Sequence, residues 1–289
     1  MVRMREASTT IMDAAGPLKL GYVEWGDPQA ARTVLCIHGL TRNGRDFDFL
    51  AAALATDMRV IAVDVAGRGR SGWLADPARY AAPTYIGQIA AFLANLGLEQ
   101  VDLVGTSMGG IIGMGLATLP SPPGAPPLVR RLVLNDIGGM APASSLAFIA
   151  SYLGAPPRRF ADLAEVEAHL RLIHASFGPL TDEEWAHLAR HSVRPLAGGY
   201  VMHYDPQIAV PFVGSPAADI VLWPLYDLIS CPTLVLRGGD SILLPADVAE
   251  EMKTRGPQAE VVTFPGIGHA PALMAEDQIA VVRAFLARP

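Results

Sequence analysis

The sequence predicts an α/β fold: a mainly parallel sheet covered by helices on both faces, with a helical segment inserted in its second half. Three observations carry that prediction. Short runs rich in Val, Leu and Ile recur along the chain and are apolar at nearly every position, as in strands buried on both faces. Helix-length stretches separate these runs, which is the pattern of βαβ units. The alternation then stops between Gly138 and Asp227, where the apolar spacing becomes purely helical.

The elements follow in order. Ser8–Ala14 and Leu18–Trp25 read as an antiparallel hairpin around Gly16-Pro17. The buried-strand runs are Val34–His38, Arg59–Val63, Val101–Gly105, Arg131–Asn135, Thr233–Arg237 and Glu260–Phe264. Between and after them lie the helical stretches Phe47–Ala55, Tyr85–Leu96, Ser107–Leu119, Ala246–Arg255 and Asp277–Leu286. Inside the interruption, Phe160, Leu163, Val166, Leu170, Ile173 and Phe177 recur every three or four residues. Thr181-Asp-Glu-Glu184 is a capping-box sequence that opens a further helix. No internal repeat is visible.

Composition limits the classes. The chain has 289 residues, a formal net charge of −6, 51% hydrophobic and 17% charged residues. That is ample for a large buried core and excludes a disordered, collagen-like or coiled-coil chain. Mild acidity without a basic block argues against nucleic acid as a partner. Residues 103–129 carry no charge, but the prolines from Pro120 onward leave too short a helix to span a bilayer. The N-terminus lacks an apolar leader stretch. Cys36 and Cys231 sit in apolar surroundings and read as buried free thiols. A cytoplasmic protein with no membrane partner is expected.

The chemistry concentrates at Gly105-Thr106-Ser107-Met108-Gly109, directly after a strand and opening a helix. A sharp strand-to-helix turn pushes a Ser hydroxyl outward, and flanking glycines leave no side chain to clash across it. Such a serine needs a base. His269, in Gly266-Ile-Gly-His-Ala-Pro271 after the last apolar strand, stands where the sheet delivers one to the strand ends. Five of the other histidines lie in the insertion, and His38 ends a strand. His187 and His191 are four residues apart, but no Glu follows His187, so no metal site is called for and no cofactor is implied. Oxyanion donors are expected from the backbone N–H of Met108 and of Leu40, in the loop opened by His38-Gly39.

Taken together, strand–His38-Gly39, Asp64-x-x-Gly67-x-Gly69-x-Ser71, Gly105-x-Ser107-x-Gly109 and Gly266-x-Gly268-His269 resemble the α/β-hydrolase superfamily, and Leu40-Thr-Arg-Asn43 and Tyr204-Asp205-Pro206 resemble more narrowly its small bacterial esterase-like members. The resemblance covers most of the chain outside the insertion. It implies an eight-stranded sheet with a helical cap after the sixth strand, so that residues 1–137 and 228–289 form the core and 138–227 the cap. It also implies a structural, loop-fixing role for Asp64. The acid departs from the usual G-x-x-D pattern: Arg237-Gly-Gly-Asp-Ser241 places Ser241 where the Asp is expected. Some esterases of this fold take the acid from the end of the sixth strand, which here is Asp136. Asp136 is therefore the preferred acid and Asp240 the alternative.

The expected activity is hydrolysis of small or medium carboxylic esters, with Ser107 as nucleophile and His269 as base. Lactonase, amidase, carbon–carbon bond hydrolase and cofactor-free perhydrolase activity use the same residues and stay open, as does a ligand-sensing receptor on this fold. The apolar cap residues Phe148, Tyr152, Phe177, Trp185, Tyr200, Phe212 and Trp223 suggest an apolar pocket, with half or more of them serving as cap core.

Overall fold

The computed structural model describes residues 4–153, 157–212 and 218–288. Eight strands form one sheet: β1 (Met4–Asp13), β2 (Gly16–Trp25), β3 (Thr33–Ile37), β4 (Arg59–Val63), β5 (Val101–Thr106), β6 (Val129–Asn135), β7 (Thr233–Gly238) and β8 (Glu260–Phe264). Their spatial order is β1-β2-β4-β3-β5-β6-β7-β8. The β1–β2 and β2–β4 pairs are antiparallel and the rest parallel. The N-terminal hairpin is present, but Asp13 faces Gly16. Its two-residue turn is therefore Ala14-Ala15, and Gly16 takes its positive φ as the first residue of β2.

The all-apolar strands are explained by two cores. In β3, Leu35 and Ile37 face one side of the sheet and Val34 and Cys36 the other, as the two-residue period requires. On the first side pack α2 (Ala82–Asn95), α3 (Met108–Ala117) and α8 (Ala246–Met252), through Ile89, Phe92, Ile112, Leu116, Val248 and Met252. On the second pack α1 (Asp48–Leu54) and α9 (Glu276–Ala287), through Leu50, Leu54, Ile279, Val282 and Phe285. Both cysteines are buried free thiols. Burial pushes the Cys231 thiol up to about 11, so both stay protonated and unreactive. Within the uncharged stretch α3 ends at Ala117 and an exposed proline-rich loop follows. Among the described residues no helix is long and apolar enough to cross a membrane.

Between β6 and β7 lie α4 (Ala143–Leu153), α5 (Leu163–Ile173), α6 (Asp182–Ser192) and the short α7 (Trp223–Tyr226). The expected capping box is formed: the Thr181 hydroxyl accepts from the Glu184 N–H, and the Glu184 carboxylate accepts from the Thr181 N–H. The helical spacing from Phe160 to Phe177 overestimates α5, because Phe160 sits in a two-residue strand and Phe177 in a 3₁₀ turn. The segment also contains strands that its helical pattern hid. Val193–Leu196 and Gly199–Met202 pair around an Ala197-Gly198 turn, and Arg159–Phe160 adds a third strand. Met140–Ala141 pairs with Ile220–Val221. Gly198 at φ 81° supplies the turn geometry. Phe160, Val166, Leu170, Trp185 and Leu188 form a local core, with Tyr200 packed on it. Phe212 and Trp223 pack on the main core. The side chains of Phe148 and Tyr152 lie outside the described residues.

The strand order reverses its direction of growth at β3: the chain adds β4 on one side, then returns to add β5 on the other. The carboxyl ends of β3 and β5 diverge there into loops and helices, which is where open α/β sheets bind ligands. The crossing is tight. A Cβ on Gly109 would lie 2.0 Å from the Ile37 carbonyl oxygen, and one on Gly105 2.4 Å from that of Gly109. Gly109→Ala is therefore expected to force α3 off the sheet. A cost of about 3 kcal/mol, as for a severe overpacking, lowers the melting temperature by on the order of 10 °C. A thermal melt that matches the unmodified protein would refute this account of the glycine.

Candidate active site

Ser107 stands between β5 and α3 with φ 53° and ψ −116°, a backbone region that L-residues with a side chain avoid. Its backbone is held on both sides. The Ser107 N–H donates to the Asn135 carbonyl at 2.9 Å, and its carbonyl accepts from Gly110 N–H at 2.8 Å and Ile111 N–H at 3.2 Å. The strain is thus over-determined by hydrogen bonds from β6 and α3, and the hydroxyl is left at the rim.

His269 reaches the same rim from the loop after β8. Ser107 Oγ lies 2.9 Å from His269 Nε2, and Asp136 Oδ2 lies 2.7 Å from His269 Nδ1. These partners assign the tautomer: Nδ1–H donates to the carboxylate and Nε2 accepts the serine proton. Asp136 follows β6 at φ 56° and is fully buried. Its Oδ1 accepts from Gly238 N–H at 2.8 Å, and its Oδ2 also accepts from the Ser241 hydroxyl at 2.5 Å. Three donors therefore replace the water that this carboxylate has lost. Asp240 is exposed, lines the cavity below, and makes no hydrogen bond to His269 among the described residues. The departure from G-x-x-D now has a physical content. The seventh-strand position holds a serine that donates to the sixth-strand acid, a role that the sequence reading did not assign to Ser241.

Of the two expected oxyanion donors, Met108 directly follows Ser107, and Leu40 follows Gly39, where a Cβ would stand 3.8 Å from the Ser107 Cβ. Among the described residues neither the Leu40 nor the Met108 N–H donates to a backbone carbonyl. The Leu40 N–H shares its peptide with the Gly39 carbonyl, which accepts from His38 Nδ1–H at 2.7 Å and from Arg42 N–H at 3.2 Å. Pulling the carbonyl one way turns the N–H the other. His38 Nε2 in turn accepts from Val65 N–H at 2.9 Å. Asp64 ties the adjacent loops together, accepting from Gly44 N–H and Arg70 N–H at 2.8 and 2.9 Å.

A cavity of about 590 Å³ opens over Ser107 and His269, within the usual range for small-molecule sites. Leu40, Phe47, Leu243 and Met274 line it from the core, and Ile149, Leu172, Ile173, Phe177 and Leu188 from the segment between β6 and β7. Phe177 is the one described member of the aromatic set expected there that lines it. Arg42, also at the wall, is paired in a bidentate manner with Asp46 and donates to the Ser192 hydroxyl. Hydrogen bonds hold the inserted segment over the core: Gly268 N–H to the Ser176 carbonyl, Ser176 hydroxyl to the His269 carbonyl, and Asn43 to the His191 carbonyl.

Among the described residues one group of metal-capable side chains comes together, Asp48, His187 and His191. Arg45 occupies the Asp48 carboxylate at 2.6 Å, and His187 Nε2 lies 2.9 Å from the Arg45 carbonyl. That group reads as a polar contact between α1 and α6.

The model of the alpha/beta hydrolase family matches residues 34–284, and the chain belongs to that family. It is 45% identical to a 3-hydroxybutyrate-oligomer hydrolase of Cupriavidus necator over 94% of each chain. An alpha/beta hydrolase structure from Novosphingobium aromaticivorans is 34% identical, with a TM-score of 0.86 over all of both chains. A structure from Rickettsia typhi is 33% identical, with a TM-score of 0.89 over 98% of each. The chain is thus a hydrolase on a large, mostly parallel eight-stranded sheet.

Two expectations follow. Asp136→Asn favours the wrong imidazole tautomer and lowers kcat by about 10⁴, the loss seen when a serine protease triad is altered in this way. Asp240→Asn stays within about tenfold of the unmodified enzyme. Steady-state kinetics on one ester decide between the two acids, and the reverse ranking would overturn the geometric assignment.

The second expectation concerns acid. Burial holds His38 down at about 4, and Arg68 pushes the same way, against the Gly39 carbonyl, Asp64 and Asp46. Its folded value lies below its unfolded value near 6.5. The neutral ring therefore stabilises the fold fully above about pH 6.5, and this contribution, about 3 kcal/mol, is lost as pH falls toward 4. His191, held down at about 3, acts in the same direction. The melting temperature should drop between pH 7 and pH 4.5, and a flat profile over that window excludes a buried neutral His38.

Proposed function

We propose that the chain is a serine-type carboxylic ester hydrolase acting through an acyl-enzyme on Ser107. The observation that carries this reading is the unbroken chain of hydrogen bonds from Ser107 Oγ through His269 to buried Asp136, at 2.9 and 2.7 Å. Ser107 Oγ attacks the ester carbonyl carbon while its proton passes to His269 Nε2. The carbonyl oxygen becomes an oxyanion that accepts from the Leu40 and Met108 N–H groups. Collapse breaks the carbon–oxygen bond, and the departing alkoxide takes the proton from His269. Water then gives a proton to His269, adds to the acyl carbon, and a second collapse returns Ser107 and releases the acid. Asp136 holds the ring orientation and stabilises the imidazolium in both halves.

The substrate we assign is a short oligoester of 3-hydroxy acids, or a simple ester of similar size. Support comes from the Cupriavidus relative at 45% identity over nearly all of both chains. The cavity of about 590 Å³ with mainly apolar walls suits a short acyl chain and does not suit a long one. Residues 138–227 act in this reading as the cap that closes the cavity over the ester and limits its length.

Ser107→Ala should lower ester hydrolysis by at least about 10³ while the protein still melts cooperatively. A fluorophosphonate should label the unmodified protein at Ser107, and 3-hydroxybutyrate dimer and trimer should be cleaved faster than emulsified long-chain triglyceride. A label elsewhere, or an active Ser107→Ala protein, sinks the mechanism. A single turnover followed by a stable liganded state would favour the sensing alternative.

A further inference from the structure

Arg68 lies in the loop after β4 with no part of it exposed, the largest fully buried side chain among the described residues. Backbone hydrogen bonds hold its loop. The Arg68 N–H donates to the Val65 carbonyl, its carbonyl accepts from Ser71 N–H, and the neighbouring Gly69 N–H donates to the His203 carbonyl. The guanidinium reaches the two residues that carry the expected oxyanion donors, at the Leu40 carbonyl and the Met108 sulfur. Nε–H donates to the Leu40 carbonyl at 2.8 Å. One Nη donates to the Ala66 carbonyl and the Tyr85 hydroxyl, both at 2.7 Å. The other lies 3.7 Å from Met108 Sδ. The rings of Tyr80 and Tyr85 lie beneath the cation, 5.6 and 5.2 Å from its carbon.

No carboxylate pairs with this charge among the described residues. Asp205, which shares Tyr80 with the cation, accepts from the Tyr80 hydroxyl at 2.6 Å. A buried cation without a counterion is costly, and an apolar side chain of similar volume would pack there at less cost. What it touches gives the reason. The Leu40 N–H belongs to the peptide held by His38, and the carbonyl of the same residue is held by Arg68, so Leu40 is fixed from both sides. Met108, whose N–H opens α3, rests its sulfur on the same guanidinium.

The geometry points to Arg68 as the positioning residue of the oxyanion site: one buried cation that holds the Leu40 and Met108 donors in register and leaves its own charge to be balanced by the negative oxygen of the tetrahedral state. The inference rests on the ester-hydrolase reading for its chemistry. A positive charge matched by a negative one only during reaction favours the transition state over the ground state, which raises kcat and leaves KM nearly unchanged.

The test compares Arg68→Gln and Arg68→Lys with the unmodified enzyme. Two inhibitors of one shape serve as probes: a trifluoromethyl ketone, which adds the serine to form a tetrahedral oxyanion, and the methyl ketone, which binds mainly as the neutral carbonyl. For Arg68→Gln, kcat should fall by on the order of 10² to 10³, as when an oxyanion donor is removed, with KM within about threefold. Trifluoromethyl ketone affinity should fall by the same factor as kcat/KM, and methyl ketone affinity should not change. Arg68→Lys, which keeps the charge but not the guanidinium fork, should recover most of that loss and stay several-fold, at most roughly tenfold, below the unmodified rate.

A folded variant that melts earlier but keeps kcat within about threefold shows a merely structural arginine and overturns the proposal. So does a fall in kcat that trifluoromethyl ketone affinity does not track. If Arg68→Gln fails to fold, Arg68→Lys is read alone: a drop of several-fold tracked by the trifluoromethyl ketone supports the proposal, and an unchanged rate overturns it. Fluorophosphonate labelling keeps the two readings apart. A label away from Ser107 in the unmodified protein removes the hydrolase mechanism itself. A label on Ser107 with unaffected Arg68 variants removes only the role of Arg68.

Discussion

The structure depends on one close crossing, where α3 leaves the rim of the sheet against the ends of β3 and β5. Ser107 is turned into the positive-φ region there, and Gly109 passes so near the Ile37 carbonyl that no Cβ fits. Everything functional is measured from that turn. It aims the hydroxyl out of the sheet, and it brings the first N–H of α3 beside the loop that carries Leu40. The strain is sustained because neighbouring backbone groups bond Ser107 from β6 and from its own helix.

The proposed acid illustrates how a sheet tolerates exchange of position while keeping its chemistry. β6 and β7 are adjacent and parallel, so their ends open on the same rim. A carboxylate from either can approach the Nδ1 side of a base delivered after β8. Here β6 supplies Asp136, and β7 supplies the groups that solvate it, Gly238 N–H and the Ser241 hydroxyl. A fully buried carboxylate without such donors would be strongly disfavoured in its charged form. The serine at the seventh-strand position is therefore part of the same device.

The segment between β6 and β7 is joined to the core at the places where the site is built. Ser176 bonds the backbone on either side of His269, and His203 and Asp205 bond the loop that carries Arg68. Arg42 and Asn43, just after the oxyanion loop, bond Ser192 and His191. The positions of the proposed base and proposed oxyanion donors and the cover of the cavity are thus mechanically linked. A shift of the covering segment is felt at both ends of the proposed reaction centre.

Local pattern alone determined much of this protein. Strand and helix runs, the Ser107 turn, the proposed base His269 and the helical interruption after β6 are written in residues close together in the chain. Their physics is local too: apolar period, turn strain, and glycine where the backbone must pass. What the tertiary structure decided are relations across long stretches of chain. The helical spacing of the inserted segment concealed the hairpin at Ala197-Gly198, because two short strands pairing with a third leave too few residues for a period to register. The choice between Asp136 and Asp240 was open because one residue of offset in sequence becomes a reversal of direction at a strand end, one carboxylate turned inward and the other to solvent. Arg68 carried no signal at all. A cation inside a glycine-rich loop reads as solvated, and only the fold shows two tyrosine rings beneath it and the Leu40 carbonyl in front of it. Burial and long-range contact are collective properties of the packed chain, and that is why they were legible only there.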